Sequence, residues 1–327
     1  MRALRLSAPV LILFAAIGVS LADKPQAVEF TDDTKTLDDF TKKLGELVKA
    51  DKGMKPADLK AAVEDRKKAT AKVTPAKFND KPLSPEEVGE RVRASVFLFG
   101  SVTGDKENGF DQGRMATAWA ATADGVLVTN WHVFDQIEDD EWYGAMAADG
   151  KVYPLVEVLA IDKAADVAVV KIAGKGLTPL PLADKPAKVG AWVGVLGHPG
   201  DRYYTFTQGH VSRYSTYTED DDTKTRWMSI TADYAYGSSG SPVVDKFGNV
   251  VGMAALTENI DYPDDGGGQA DKAVRKARQS MVRRTVNRRD DDKKKDAAPA
   301  PTPSALQMVV KLTVPAADVR AVLTEKE

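Results

Sequence analysis

From residue 92 onward the chain is written in short apolar or alternating runs, each closed by a turn signal, with no long helical pattern between them. The runs cover residues 95–99, 116–122, 126–129, 152–160, 167–172, 191–196, 209–214, 227–232, 243–244 and 250–256. Runs of this length and alternation read as β-strands, and Asp124-Gly125 and the Asp245 to Asn249 stretch have the composition of hairpin turns. A doubly wound parallel sheet needs a crossover of a dozen or more residues, usually helical, between successive strands, and no such helices are written here. The segment is therefore expected to be an all-β sandwich or barrel. A length of 327 residues with 43% hydrophobic side chains is enough for one large or two modest domains of that kind.

The first 91 residues have a different texture. Met1 to Arg5 carries two arginines, Leu6 to Leu21 is an apolar stretch without charge, and Ser20-Leu21-Ala22 places small residues where a signal peptidase reads them. Residues 1–22 are expected to be a signal peptide cleaved after Ala22, making the protein exported, periplasmic or secreted; the other reading of the same stretch is an anchor. Sixteen residues interrupted by Pro9 and Gly18 fall short of a bilayer span, which takes about 20. Residues 23–91 are dense in Lys, Asp and Glu, with apolar side chains at helical spacing in Leu37, Phe40, Leu44 and Leu47-Val48, then in Leu59, Ala62 and Val63. They read as a charged helical extension of marginal core content, with Thr36 and Ser84 as helix N-caps.

Three segments of the strand-rich part carry residues capable of chemistry. Val128 to Val133 places His132 where a strand ends, Asp166 heads the buried run Val167 to Ile172, and Ser239 lies in Gly237-Ser238-Ser239-Gly240-Ser241-Pro242, where glycines let the backbone bend sharply. Taken singly, each has a structural explanation: a capped core histidine, a turn aspartate, a Gly/Ser loop. Jointly, in the order His, Asp, Ser, they fill the base, orienting and nucleophile roles of a charge-relay constellation. Rival constellations fail on residue counts. An α/β-hydrolase places its histidine after the nucleophile, and none follows Ser239. The three histidines, His132, His198 and His210, lie 66 and 12 positions apart and form no metal-binding pair on a helix, and the absence of cysteine removes thiolate nucleophiles and thiolate metal sites.

Thr129 to Val133, Asp166 to Lys171 and Gly237 to Pro242 resemble the Thr-Asn-x-His-Val, Asp-x-Ala-Val-Val-Lys and Gly-x-Ser-Gly-x-Pro boxes of the trypsin-like serine endopeptidases of the Deg/HtrA type. Gly197 to Gly200, Thr207 to Ser212 and the closing Leu312-Thr313-Val314-Pro315 with Ala316 to Leu323 extend the likeness. The resemblance implies an all-β fold of two perpendicular six-stranded β-barrels, with a protease domain over residues 92–325. The first barrel would span about 92–185 and the second about 186–256 plus 306–325, interrupted by an insertion over 257–305. It also implies His132, Asp166 and Ser239 as catalytic residues, an oxyanion hole from the backbone N–H groups of Gly237 and Ser239, protein or peptide substrates, and no cofactor or metal. His198 and His210 are expected to be structural.

Asp233, six residues before Ser239, stands where enzymes cutting after Lys or Arg place a pocket carboxylate, and Met253, Ala254 and Ala255 match the strand that pairs with substrate backbone; all four are candidate substrate-binding residues. No carboxy-terminal PDZ module is expected. Lys272 to Arg289 contains eight basic residues and no acidic one, with Val274, Ala277, Met281 and Val286 at helical spacing. This insertion reads as a solvated loop, or as a surface for acidic partners or polyanions or a self-cleavage site; the alternative reading of the whole chain is a protease-like binding module that uses the insertion to recognise acidic partners. A net charge of -3 argues against a chain built as a whole to hold nucleic acid, and no specific nucleic-acid partner is expected.

Overall fold

The alternating segments close on themselves as two six-stranded barrels. In the computed structural model, which describes residues 30–218, 224–261 and 306–325, all ladders between named strands are antiparallel. The first barrel is built from β1 (Val96–Asp105), β2 (Gly109–Ala120), β3 (Val126–Thr129), β4 (Glu141–Ala147), β5 (Val152–Asp162) and β6 (Val167–Ile172), in the order β1-β2-β3-β6-β5-β4. The second uses β7 (Trp192–Gly197), β8 (Thr205–Thr218), β9 (Lys224–Ile230), β10 (Pro242–Val244), β11 (Val250–Asp261) and β12 (Leu306–Pro315), in the order β10-β11-β12-β9-β8-β7. Closure leaves no row of unpaired backbone groups along a sheet edge.

Each barrel has its own apolar filling. Phe97, Phe99, Ala118, Leu127, Ile161 and Val170 belong to that of the first, and Val193, Val195, Val211, Met228, Val243 and Ala254 to that of the second. A third cluster takes side chains from both: Trp119, Val128 and Val169 meet Leu196, Val244 and Met253. This shared layer fixes one barrel against the other, and the two chemistry-bearing ends of β3 and β10 come to the same seam.

Among the described residues four α-helices complete the fold: α1 (Asp33–Lys49), α2 (Pro56–Asp65), α3 (Pro85–Arg93) and α4 (Ala316–Leu323). The leader contributes more core than its composition promises. Phe40, Leu44, Val88 and Val92 are fully buried in the shared layer, each worth about 1.5–3 kcal/mol of transfer energy. Ser84 caps α3 in a reciprocal capping box with Glu87. Thr36 does not cap α1: Asp32 does, accepting from the Lys35 N–H at 2.9 Å, and Thr36 lies in the first turn with its hydroxyl donating to the Asp32 carbonyl. A carboxylate at the helix start satisfies the orphan donors and favours the positive end of the dipole.

Two strands lie outside the expected runs, β12, anticipated only through the closing segment 312–315, and β4. β4 opens on Glu141, only 1% exposed, which pairs with Arg114 Nε at 3.2 Å and accepts from Ser101 Oγ at 2.7 Å. A buried ion pair at a strand start reads from sequence as a charged loop. The Asp245 to Asn249 turn is a hairpin as expected, its Asp245 Oδ1 accepting from the N–H groups of Phe247 and Asn249 at 2.9 Å each. Residues Asp32–Glu327 cluster as one unit, and of the other, Met1–Thr31, only Phe30 and Thr31 are described. The expected signal segment and the basic block Lys272 to Arg289 lie outside the described residues. Among the described residues no helix is long and apolar enough to cross a membrane.

Candidate active site

His132 follows the end of β3 on a short 3-10 turn, Trp131–Phe134. Its Nδ1 lies 2.9 Å from Asp166 Oδ2, and its Nε2 lies 2.8 Å from Ser239 Oγ. Asp166 Oδ1 also accepts from the His132 backbone N–H at 3.0 Å, while Asn130 Nδ2 donates to the Asp166 carbonyl at 2.9 Å. These bonds hold Asp166 at φ 55°, the left-handed region that aspartate tolerates better than most side chains. An ionised carboxylate only accepts, so Nδ1 carries the proton and the Nε2 lone pair faces the Ser239 hydroxyl.

The imidazole sits under two opposed influences. Burial disfavours its cation, but the Asp166 carboxylate, through charge and hydrogen bond, and the more distant Asp135 charge outweigh it and hold His132 above the ordinary imidazole value. The chain beyond His132 is clamped as well. Arg114 donates to the carbonyls of Asp135 and Gln136, and Glu141 Oε2 accepts from the Glu138 N–H at 3.1 Å.

Ser239 rides on a turn that reaches across the seam. Gly237 and Gly240 have φ of 85° and 88°, and a Cβ on Gly240 would stand 2.0 Å from the Thr117 carbonyl. That closeness reflects a direct dock. The Thr117 N–H donates to the Ser239 carbonyl at 2.8 Å, Thr117 Oγ1 donates to the Gly237 carbonyl at 2.9 Å, and Thr129 Oγ1 donates to the Thr117 carbonyl at 2.8 Å. Within the described residues no acceptor takes the N–H of Gly237 or Ser239. Thr117, on β2 of the first barrel, was not a sequence candidate; a lone threonine in a strand carries no signal that its hydroxyl crosses a domain seam. Thr117→Val keeps the shape and strands the buried Gly237 carbonyl. It is expected to lower the urea-denaturation stability by about 1–3 kcal/mol; a midpoint equal to wild type would show that this bond holds nothing.

The other sequence candidates are placed as follows. Asp233 is 88% exposed and lies 3.7 Å from Lys311 Nζ, so its carboxylate belongs to a surface ion pair. Lys311 itself is largely buried, donates to the Tyr234 carbonyl at 2.6 Å and lies over the Tyr234 ring. Tyr234 is buried, its hydroxyl donating to the Leu256 and Leu312 carbonyls, so it fills the space between β11 and β12. Met253 and Ala254 were expected to offer backbone to a substrate, and both lie inside the barrel ladder. Met253 is laddered to Pro242 on one side and Val314 on the other. Ala254 spends its N–H on the Ser241 carbonyl and its carbonyl on the Gly240 N–H. Both belong to the barrel wall. Ala255, 8% exposed, sits where the β11–β12 register shifts.

His198 is buried, its Nδ1 accepting from the Tyr204 N–H at 3.0 Å, and burial pushes its imidazole down to about 3. It is a neutral core residue. His210 Nδ1 and Nε2 make no hydrogen bond within the described residues, and its backbone N–H donates to Thr231 Oγ1 at 2.9 Å. Among the described residues no group of three or more His, Asp or Glu side chains is arranged to hold a metal ion.

Two antiparallel six-stranded barrels, with a histidine and an aspartate from one and a serine from the other hydrogen-bonded in line across their seam, define the class of trypsin-like serine peptidase domains. Residues 116–253 match the family described as the trypsin-like peptidase domain. The chain is 28% identical over 191 residues to the anti-sigma-I factor RsgI9 of Acetivibrio thermocellus, covering 57% of this chain and 26% of that protein. It is 29% identical over 153 residues to serine protease HTRA4 of Homo sapiens (45% and 31%). Over 154 residues it is 28% identical to a probable periplasmic serine endoprotease DegP-like of Pseudomonas putida (47% and 31%). The chain spans less than a third of the length of these relatives. Among solved structures, the inactive form of the Rv3671c protease aligns over 76% of this chain and 97% of that chain, with a TM-score of 0.48 and 21% identity. Residues 116–253 thus match a trypsin-like peptidase domain, and the chain is similar to serine proteases of the HtrA type.

Proposed function

We propose that the protein is an exported serine endopeptidase that hydrolyses peptide bonds through His132, Asp166 and Ser239. The observation that carries this reading is the unbroken line from carboxylate to imidazole to hydroxyl, at 2.9 and 2.8 Å. In it, Ser239 Oγ attacks the substrate carbonyl as His132 Nε2 takes its proton, and the resulting imidazolium, balanced by Asp166, returns that proton to the leaving amine. Water then repeats the sequence on the acyl-enzyme, with His132 again as base. The oxyanion of each tetrahedral intermediate is received by the N–H groups of Gly237 and Ser239, a donor of this kind contributing about 3 kcal/mol.

Export rests on the charged start and apolar run of residues 1–22. A part in protein quality control rests on the resemblance to the Deg/HtrA type alone, and a polyanion-binding role for the insertion rests on its eight basic residues. In substrate selection Asp233 acts only as the surface partner of Lys311, since an incoming basic side chain must compete with an amine already 3.7 Å away.

Two measurements test the reading. A fluorophosphonate is expected to label the protein once, on Ser239 by peptide mapping; no labelling of folded protein, or labelling elsewhere, overturns it. The kcat/KM profile is expected to rise with pH as His132 loses its proton. Because the carboxylate holds that proton more tightly than in free imidazole, the midpoint lies above 6.5. A midpoint below 6.5 would mean that burial outweighs Asp166.

A further inference from the structure

The peptide joining Tyr236 to Gly237 has its carbonyl on one side and, by planarity, its N–H on the other. The Gly200 N–H donates to the Tyr236 carbonyl at 2.8 Å, so whatever places Gly200 also aims the Gly237 N–H. Gly200 belongs to a segment under backbone constraint: Gly200, Asp201 and Tyr204 all lie at positive φ, 56°, 61° and 59°. Non-glycine residues persist there only when their surroundings over-determine them. Three ties do so. The Tyr204 N–H is held by His198 Nδ1, and the Tyr204 hydroxyl donates to the Met146 carbonyl of β4, each at 3.0 Å. The third tie is the Tyr203 N–H, which donates at 3.0 Å to Asp33 Oδ1, 170 residues away at the start of α1.

We infer that Asp33 is a positioning residue for the oxyanion hole: α1 of the leader holds residues 199–204, and these hold the Tyr236–Gly237 peptide with its N–H directed at the reacting carbonyl. The inference rests on the protease reading given above. It makes the leader a control element, because a partner that draws the start of α1 off the barrels releases Tyr203 and lets that peptide rotate. An oxyanion donor acts on the transition state and not on substrate binding, which sets the kinetic signature.

The test compares full-length Asp33→Ala with Asp33→Asn, which keeps an acceptor oxygen. Asp33→Ala is expected to lower kcat and the fluorophosphonate labelling rate at least tenfold with KM unchanged, and Asp33→Asn to restore both to within about threefold of wild type. Wild-type kcat in Asp33→Ala, equal loss in both variants, or a change confined to KM would overturn the inference. A crystal structure of Asp33→Ala gives a readout independent of turnover. A Tyr236–Gly237 peptide rotated from its wild-type orientation supports the inference, and an unchanged peptide refutes it even if the wild-type protein hydrolyses nothing. Absence of labelling in wild type refutes the protease reading alone.

Discussion

Ser239→Ala is expected to lower kcat on casein by on the order of 10^5–10^6 while leaving the thermal midpoint unchanged. The Oγ has a single described partner, His132 Nε2 at 2.8 Å, and takes no part in docking its own turn. That docking is done by the backbone: the Ser239 carbonyl to the Thr117 N–H, the Gly240 N–H to the Ala254 carbonyl, and the Gly237 carbonyl to Thr117 Oγ1. Removing the hydroxyl therefore subtracts the nucleophile and leaves the hole, whose residual acceleration over water is about 10^3–10^4. The neighbouring hydroxyls cannot substitute. Ser238 and Ser241 are both buried, and within the described residues neither Oγ makes a hydrogen bond. Ser238→Ala thus removes an unsatisfied buried hydroxyl and is the control: stability equal or slightly raised, activity retained. Turnover by Ser239→Ala within tenfold of wild type would place the nucleophile elsewhere.

What the sequence disclosed and what it withheld divide along a physical line. The short apolar and alternating runs are sufficient to mark an all-β sandwich or barrel, because a strand buried on one face repeats its apolar residues locally; the division into two barrels comes from the resemblance. β4 escaped because its first residue is a buried glutamate, made tolerable only by Arg114 and Ser101 from other strands. The same division runs through the site. His132, Asp166 and Ser239 stand in segments whose composition is distinctive along the chain, and the fold brings the three within hydrogen-bonding distance. Thr117 and Asp33 are ordinary residues whose roles arise from carbonyls and N–H groups more than 100 positions distant. Ala254 shows the converse: its small side chain matched an open pocket strand, while its backbone was already spent on the Ser239 turn. Backbone partners are what one-dimensional pattern cannot carry.

The second large effect is expected from Asp166→Asn, about 10^4 in kcat with the fold intact. The two carboxylate oxygens do different work. Oδ1 accepts from the His132 backbone N–H at 3.0 Å, and Oδ2 is the nearer to Nδ1, at 2.9 Å. An asparagine must keep its oxygen at the first position, since an amide nitrogen there would face another donor. Its nitrogen then occupies the second, donates to Nδ1, and moves the ring proton to Nε2, where it faces Ser239 Oγ. A histidine in that tautomer has no lone pair to take the serine proton. Asparagine also accepts the left-handed backbone at φ 55°, and Asn130 continues to bond the same carbonyl, so the thermal midpoint changes little. The charge effect is separable. With the carboxylate gone, burial is left opposing the imidazolium, and the midpoint of the acid limb of residual activity moves down from its wild-type position above 6.5. A variant that lost kcat with its acid limb unmoved would show that Asp166 orients the ring without tuning it. One that kept more than a tenth of wild-type kcat would remove Asp166 from the mechanism.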